Sequence, residues 1–455
     1  MAFKGWPYDN LNILSEDLKA NGVSLPLSEN VEVLKQELEI DGAHKAPNRL
    51  AIQPMEGCDG DHENGAPAEL TWRRYERFAQ GGAGLIWFEA VAIVREGRAN
   101  PRQLMITEDN LEDYKRMVAM IKEESMKKYG YAPLVIMQAT HSGRYSKPEG
   151  TAAPMVAYRS PIFEKDKPLD PSRIVTDEYL KALEEKYGRA ARLAQEAGFD
   201  GVDIKACHRY LMCETFSAYT RPGEYGGSFE NRTRLFRNAI AAAKGAVTGD
   251  MMVTSRMNVY DGFEYPYGWG VKAGEGIRPD MEEPIRLVRQ MHDEWGVPLI
   301  DITIGNPYFN PHVNRPYEQG AYVPPEHPFQ GVQRACDCIG AVKAAVPEMK
   351  IISSAVSYLR QYSGNLAAGM VEQGKADMVG FGRMAFAYPD FAADLLAGRG
   401  MDSRKCCLAC SKCTELMRSG STPGCVIRDN AVYMPLYKEH VLNSDKDVRH
   451  MVSNV

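Results

Sequence analysis

The sequence predicts an α/β protein built on a (β/α)8 barrel, and three observations predict it. Eight apolar runs of strand length recur along the chain, each followed by a longer stretch of helical or irregular character. Glycine marks returns from helix to strand, as in QGGAG (80–84), EAGFDG (196–201) and EQGKAD (372–377), which suits the turn that ends a helix. The 455 residues, 44% of them apolar, suffice for one elaborated barrel, which takes about 250 residues before insertions. An open doubly wound sheet is the lesser alternative, and no GxGxxG follows the first strand to support it.

In order, the predicted strands are 49–54 (RLAIQP), 84–90 (GLIWFEA), 133–139 (PLVIMQA), 199–205 (FDGVDIK), 251–257 (MMVTSRM), 298–304 (PLIDITI), 350–354 (KIISS) and 377–381 (DMVGF). Each is mostly apolar or β-branched, as a buried parallel strand requires. Helices are predicted between them over 68–80, 109–127, 176–197, 230–246, 282–295, 330–346 and 363–374. Three regions fall outside this alternation: an N-terminal extension (1–47), long loops at 140–175 and 258–281, and a cysteine-bearing C-terminal segment (399–455). The barrel is therefore assigned to 48–398. The two loops follow the third and fifth strands, at the end where barrel enzymes carry their active sites.

Composition narrows the function classes. A formal net charge of −6 supplies no bulk attraction to nucleic acid or to an anionic membrane, and no Lys/Arg block stands out. No apolar stretch reaches the roughly 20 residues of a membrane span, and MAFKGWPYDN is not a signal pattern, so a cytoplasmic protein is expected. Of ten cysteines, Cys406, Cys407, Cys410, Cys413 and Cys425 fall close together, which in a large cytoplasmic enzyme points to metal ligation before disulfides.

The predicted strand ends are polar: Glu56 after the first, Gln138 and His141 with the third, Lys205, His208 and Tyr210 with the fourth. Arg256 ends the fifth, Asp301 and Thr303 lie on the sixth, and Gly382-Arg383 follow the eighth. Singly, each reads as a satisfied core group; together on one rim they favour a site.

Five ordered motifs then carry a resemblance: NRLAIQPM (48–55), MQATHSGR (137–144), the stretch from CHRYL to YGGSFENRTRLF (207–236), SRMN (255–258) and DMVGFGRMAFAYPDF (377–391). In order and spacing they resemble the Old Yellow Enzyme family, over about residues 40–395. The resemblance implies an FMN enzyme in which backbone around Pro54-Met55 and Ala90 lines the flavin and Gln138 bonds its pyrimidine ring. Arg256 would sit near N1 and the O2 carbonyl, where a fixed cation stabilises the anionic reduced flavin. Gly382 and Arg383 would bind the phosphate, the first by close backbone approach and the second with a planar fork. Relatives usually carry a Gly-Gly turn after the seventh strand that also cradles phosphate. This chain reads Ser354-Ala355-Val356, so hydroxyl and amides would have to stand in.

Tyr210 matches the family tyrosine that delivers a proton to the substrate carbon opposite the flavin, work that suits a phenol neutral at pH 7. The preceding pair departs from the usual His with His or Asn: it is Lys205 and His208, followed by Arg209 where glycine is common. A lysine aimed into a low-dielectric pocket needs negative charge, from a substrate carboxylate or developing enolate, or from a nearby Asp or Glu.

The spacing Cys407-x2-Cys410-x2-Cys413-x11-Cys425 suits the four thiolates of a [4Fe–4S] cubane, or a structural zinc ion; Cys406 could displace Cys407. The iron–sulfur branch of the family, which includes 2,4-dienoyl-CoA reductase, bile-acid-type enoate reductases and trimethylamine dehydrogenase, places such cysteines just after the barrel, and the resemblance implies the cluster. Those relatives continue into further nucleotide-binding domains, which are not expected in these residues. The electron donor is then NADH, NADPH or a separate flavoprotein.

The implied activity is ene-reduction: hydride passes from reduced FMN N5 to the β-carbon of a carboxylate- or carbonyl-conjugated alkene, Tyr210 protonates the α-carbon, and Lys205 and His208 grip the activating group. The alternative is an amine dehydrogenase resembling trimethylamine dehydrogenase. That relative attaches its flavin to a cysteine two residues after the strand-one proline, where this chain has Glu56. A non-catalytic electron-transfer flavoprotein is the third reading.

Overall fold

The structure, a computed structural model, describes residues 6–165, 168–317 and 322–443. Residues 1–5 of the predicted extension and 444–455 of the predicted C-terminal segment lie outside the described residues. Eight parallel strands close a barrel: β1 (Leu50–Ile52), β2 (Leu85–Ala92), β3 (Leu134–Thr140), β4 (Gly201–Ile204), β5 (Met252–Tyr260), β6 (Leu299–Ile304), β7 (Lys350–Ser353) and β8 (Met378–Phe381). β8 pairs back onto β1, with Val379 opposite Leu50 and Phe381 opposite Ile52. Each strand lies on its predicted run, although β2 and β5 extend to Ala92 and Tyr260. Both pass through a register shift near their ends, between Phe88 and Ala90 and between Asn258 and Tyr260, so pairing continues beyond the apolar run.

Seven helices alternate with the strands: α1 (Glu69–Ala79), α2 (Leu111–Tyr129), α3 (Asp177–Glu196), α4 (Arg234–Ala246), α5 (Glu282–Asp293), α6 (Pro328–Ala345) and α7 (Ser363–Glu372). The sequence predicts one helix over 230–246; the structure instead ends a short helix at Arg232 and starts α4 at Arg234, with Thr233 bonding its hydroxyl to Phe229 O at 2.8 Å. Gly130 closes α2 in the left-handed conformation (φ +76°), where its amide reaches Met126 O at 2.9 Å. Two short helices, Arg383–Ala387 and Phe391–Leu396, follow β8.

The N-terminal segment closes the bottom of the barrel. A two-stranded antiparallel pair, Leu38–Glu39 with Lys45–Ala46, brings Leu38, Ile40 and Ala46 into one apolar cluster with Ala51, Trp87 and Met378 of the strands. Upstream, the helix Leu11–Ala20 buries Leu14 and Leu18 in the cluster that joins strands to outer helices. Burial of this kind stabilises by about 25 cal/mol per Å² of apolar surface, and it fills that end of the barrel with apolar side chains. Among the described residues, no helix is long and apolar enough to cross a membrane.

The cysteine-bearing segment docks beside that mouth. Asp429 accepts from Arg73 at 2.7 and 2.8 Å and from Arg77 at 2.5 Å, both on α1, and Thr422 Oγ1 donates to Cys58 O at 3.3 Å.

Candidate functional site

The loop after β1 is braced from below. Arg74 of α1 is buried between Asp59 and Glu89, donating to Asp59 Oδ1 at 2.9 Å and to Glu89 Oε1 at 2.5 Å, and Glu89 Oε2 accepts from Gly57 N at 2.7 Å. A buried guanidinium between two carboxylates fixes backbone on both sides of Cys58, which aims Glu56 across the mouth. The rim after β4 is fixed at the cost of strain. His208 (φ +62°) and Arg209 (φ +55°) both take left-handed backbone, and Arg209 is buried, donating to Asp261 Oδ2 at 2.8 Å, Tyr158 Oη at 2.8 Å and Tyr267 O at 2.7 Å.

The cavity at the mouth is lined by nine of the predicted site residues: Pro54, Met55, Lys205, His208, Tyr210, Arg256, Ser354, Gly382 and Arg383. At its centre is a network that the sequence reading leaves open. Tyr210 Oη donates to Glu56 Oε1 at 2.8 Å, lies 2.7 Å from Tyr308 Oη, and its ring has the Lys205 ammonium 3.9 Å from its centre. Lys205 Nζ lies 3.2 Å from the same Glu56 oxygen. Lys205 therefore both faces the cavity and has a carboxylate partner. Burial, then the Glu56 charge, holds the Tyr210 phenol well above its ordinary range, so it keeps its proton. Burial, with the Arg256 and Lys205 charges, pushes His208 well below the ordinary imidazole value; it is a neutral donor or acceptor at pH 7.

The opposite wall carries polar atoms without partners. Gln53 Oε1 and Arg383 Nη1 are buried there with no hydrogen bond among the described residues, while Gln53 Nε2 donates to Asp301 Oδ1 at 2.9 Å. Arg256 Nε lies 2.8 Å from Asp301 Oδ2, an ion-pair distance without hydrogen-bond alignment. Burial raises Asp301 to about 6 against the opposing pull of Arg256. Gly380 lets Gln53 fit, because a Cβ there would lie 2.1 Å from Gln53 Nε2. An acceptor awaiting a donor, and a guanidinium awaiting an anion, fit a planar heterocycle with a polar edge and a phosphate tail. After β7, Ser354 Oγ is spent on Ile302 O at 2.9 Å, and Ala355 takes the left-handed conformation (φ +69°) that glycine would take.

Two predicted flavin residues are not in this wall. Gln138 lies opposite Asp203 in the β3–β4 register and donates to its Oδ2 at 2.6 Å; that carboxyl, raised to about 7 by burial, also accepts from Trp87 Nε1 at 2.8 Å. Ala90 is interior to β2, its carbonyl 3.3 Å from Gln103 Nε2. The residues that sequence reasoning missed come from loops. Tyr308 and Arg315 follow β6, and Tyr145 stacks on Tyr308 with ring centres 4.0 Å apart. Arg315, lowered to about 9 by burial with Arg383 and Arg418 close by, donates to Ser411 Oγ at 2.8 Å.

Cys407, Cys410, Cys413 and Cys425 line one small cavity, which shares Arg383, Phe386 and Cys413 with the wall of the first. The amides of Ala409 and Arg428 donate to Cys407 and Cys425 sulfur at 3.4 and 3.3 Å. Among the described residues, no three of these side chains converge closely enough to hold a single metal ion as they stand. Four thiols on one cavity wall match in number the ligand set of a cubane, one thiolate per iron, or of a structural zinc ion. Cys406 is outside this cavity, its sulfur 3.3 Å from Asp402 O.

The profile of the NADH:flavin oxidoreductase / NADH oxidase family matches residues 40–269. The chain belongs to that family. Curated relatives include the NADPH dehydrogenase of Bacillus velezensis, 26% identical over 349 residues that cover 76% of this chain and 89% of the relative. The NADPH dehydrogenase of a Geobacillus species is 31% identical over 261 residues, 57% of this chain and 69% of the relative. Among solved structures, 2-naphthoyl-CoA reductase superposes with a TM-score of 0.70 at 20% identity, over 88% of this chain and 57% of that one. Histamine dehydrogenase from Rhizobium sp. 4-9 gives 0.67 at 21%, over 88% and 53%, so the chain spans little more than half of either structure. Morphinone reductase gives 0.60 at 20%, over 82% and 92%. These likenesses establish the shared barrel, and the family makes the protein an FMN-dependent oxidoreductase.

Proposed function

We propose that this family member is an ene-reductase acting on alkenes conjugated to a carbonyl or carboxylate. One observation carries the reading: a buried, protonated phenol, Tyr210, stands in the mouth cavity between neutral His208 and the paired Lys205. FMN, when bound, supplies hydride to the β-carbon. Gln53 Oε1 and Arg256 would meet its polar ring edge, and Arg383 its phosphate. His208 donates a hydrogen bond to the activating oxygen, while Tyr210 holds the proton destined for the α-carbon. Glu56 and Tyr308 orient that phenol from two sides. In this reading residues 48–398 carry the flavin and 399–455 carry a [4Fe–4S] cluster on Cys407, Cys410, Cys413 and Cys425. NADPH or NADH, or a separate flavoprotein, supplies electrons.

The amine-oxidising alternative, suggested by the likeness to histamine dehydrogenase, lacks a tether for its flavin. Glu56 occupies the tethering position, and Cys58 lines a different cavity with its sulfur 3.1 Å from Asn100 Nδ2. The test is anaerobic reduction of purified holoprotein by NADPH and by dithionite, followed by mixing with enones, enoates and alkylamines. Reoxidation of flavin by an alkene is expected. Oxidised flavin bleached by an amine, with no alkene accepted, overturns the reading.

A further inference from the structure

A second cavity, about 480 Å³, opens beside the first and shares Glu56, Tyr308 and Met417 with it. Its charged lining is one-sided. Glu56 is already matched by Lys205, which leaves Arg102, Lys147 and Arg418 as three cations on the wall. None of the three has a carboxylate within ion-pair distance among the described residues. Arg102 donates to Gly420 O at 2.8 Å, and Arg418 reaches Pro307 O and Tyr308 O only at 3.4 and 3.5 Å. Burial pulls the Arg418 guanidinium below its ordinary value, as expected of a cation taken from water without a counter-ion. Two arginines buried elsewhere are neutralised, Arg74 by Asp59 and Glu89 and Arg209 by Asp261, whereas Arg98 spends its guanidinium on the backbone carbonyls of Asp61, His62, Pro101 and Gln103.

We propose that this second cavity binds an anionic group, a carboxylate or phosphate, on a tail of the molecule whose reactive end enters the first cavity. This rests on the ene-reductase reading for which end reacts, and it relocates anion recognition from Lys205, whose charge Glu56 occupies, to Arg102 and Arg418. The path between the two is short, because Tyr308 and Glu56 face both spaces. Tyr145, stacked on Tyr308, gives the connecting stretch an aromatic wall. Two molecules react in the first cavity, so the anion belongs either to the alkene substrate or to the phosphates of the nicotinamide donor.

The experiment uses benzylideneacetone carrying a para-carboxymethoxy group, its neutral para-carbamoylmethoxy analogue, and the non-reducing analogue tetrahydro-NADPH. Dissociation constants are read from perturbation of the oxidised flavin spectrum, in the parent holoprotein and in Arg102→Gln and Arg418→Gln. The carboxylate should bind about tenfold tighter than its amide, one charge-assisted hydrogen bond's worth. Either substitution should erase that preference while leaving the neutral probe unchanged, which assigns the tail to the alkene. Loss of tetrahydro-NADPH affinity instead assigns the anion to the donor. Unchanged constants for all three probes in both variants overturn the proposal. Failure of the underlying reading is separate: reduced protein that turns over neither enone, yet keeps a substitution-sensitive charge preference, sinks the ene-reductase and leaves the anion site standing.

Discussion

Removing Glu56 should harm the fold far more than removing its partner Lys205. Lys205 is 2% exposed and Glu56 13%, so the carboxylate keeps an edge toward water and the ammonium does not. In Glu56→Gln the buried cation retains the Tyr210 ring but loses its only carboxylate among the described residues. Breaking a buried pair from the side that strands a charge costs about 3–5 kcal/mol. In Lys205→Met the carboxylate still accepts the Tyr210 proton at 2.8 Å and meets the second cavity, so the cost is about 1 kcal/mol. Combining both substitutions removes both charges, and the double variant should sit closer to the parent than Glu56→Gln does. Urea midpoints of anaerobic holoprotein, followed by tryptophan and flavin fluorescence together, measure this cycle. If Glu56→Gln costs no more than Lys205→Met, or if the two costs simply add, the pair is not the internal counter-charge inferred here, and Lys205 is free to take a substrate anion.

Tyr210→Phe should slow alkene reduction about 10²-fold or more while leaving flavin reduction by NADPH near the parent rate, as two stopped-flow half-reactions will show. Arg383→Gln should raise the dissociation constant for FMN, measured by fluorescence on dialysis, because the phosphate loses its forked partner; unchanged retention removes Arg383 from the phosphate site. Cys413→Ser or Cys425→Ser should cut iron from about four per chain toward zero, since a cubane takes one thiolate per iron, and iron content unchanged in both variants ends the cluster assignment. Asp203, raised from 3.8 to about 7, favours folding in its protonated form, so the stability it contributes is full below pH 4 and lost as pH rises through 7. Asp203→Asn should therefore flatten the loss of stability between pH 4 and 7, by up to the order of 4 kcal/mol; an unchanged slope in the denaturation midpoints over that range contradicts the buried titration.

The barrel was legible because apolar β-branched runs, helical spacing and glycine turns agree at every step. The helix over 230–246 was overextended because Thr233 bonds back to Phe229 O, a local choice invisible to periodicity. Nine of the predicted site residues come to line one cavity because barrel strand ends gather at one mouth. Gln138 does not line that cavity; its amide nitrogen is taken by its neighbour in the next strand, the buried carboxyl of Asp203. The alternation of FDGVDIK did place Asp203 and Lys205 on one face, and that was the available signal. Tyr308, Tyr145 and Arg315 stand on loops whose path depends on tertiary packing, so nothing in local sequence could set the two tyrosines beside Tyr210 or Arg315 on the cavity wall.

Two residues at the mouth, Arg209 and Ala355, hold backbone that glycine adopts more readily. Arg209 and Ala355 keep left-handed φ of +55° and +69°, conformations that cost an L-residue about 1–2 kcal/mol each. At Arg209 the repayment is visible: its guanidinium ties the β4 rim to Asp261, Tyr158 and the Tyr267 carbonyl, bonds that glycine could not make. The strained residue directly precedes Tyr210, so the same bonds that hold it also fix where the phenol points. Ala355 has no such bonds, and only its methyl distinguishes it from glycine, so its strain persists because the turn there must stay as it is. That turn borders the cavity between Ser354 and Arg383, on the wall where an anion would sit.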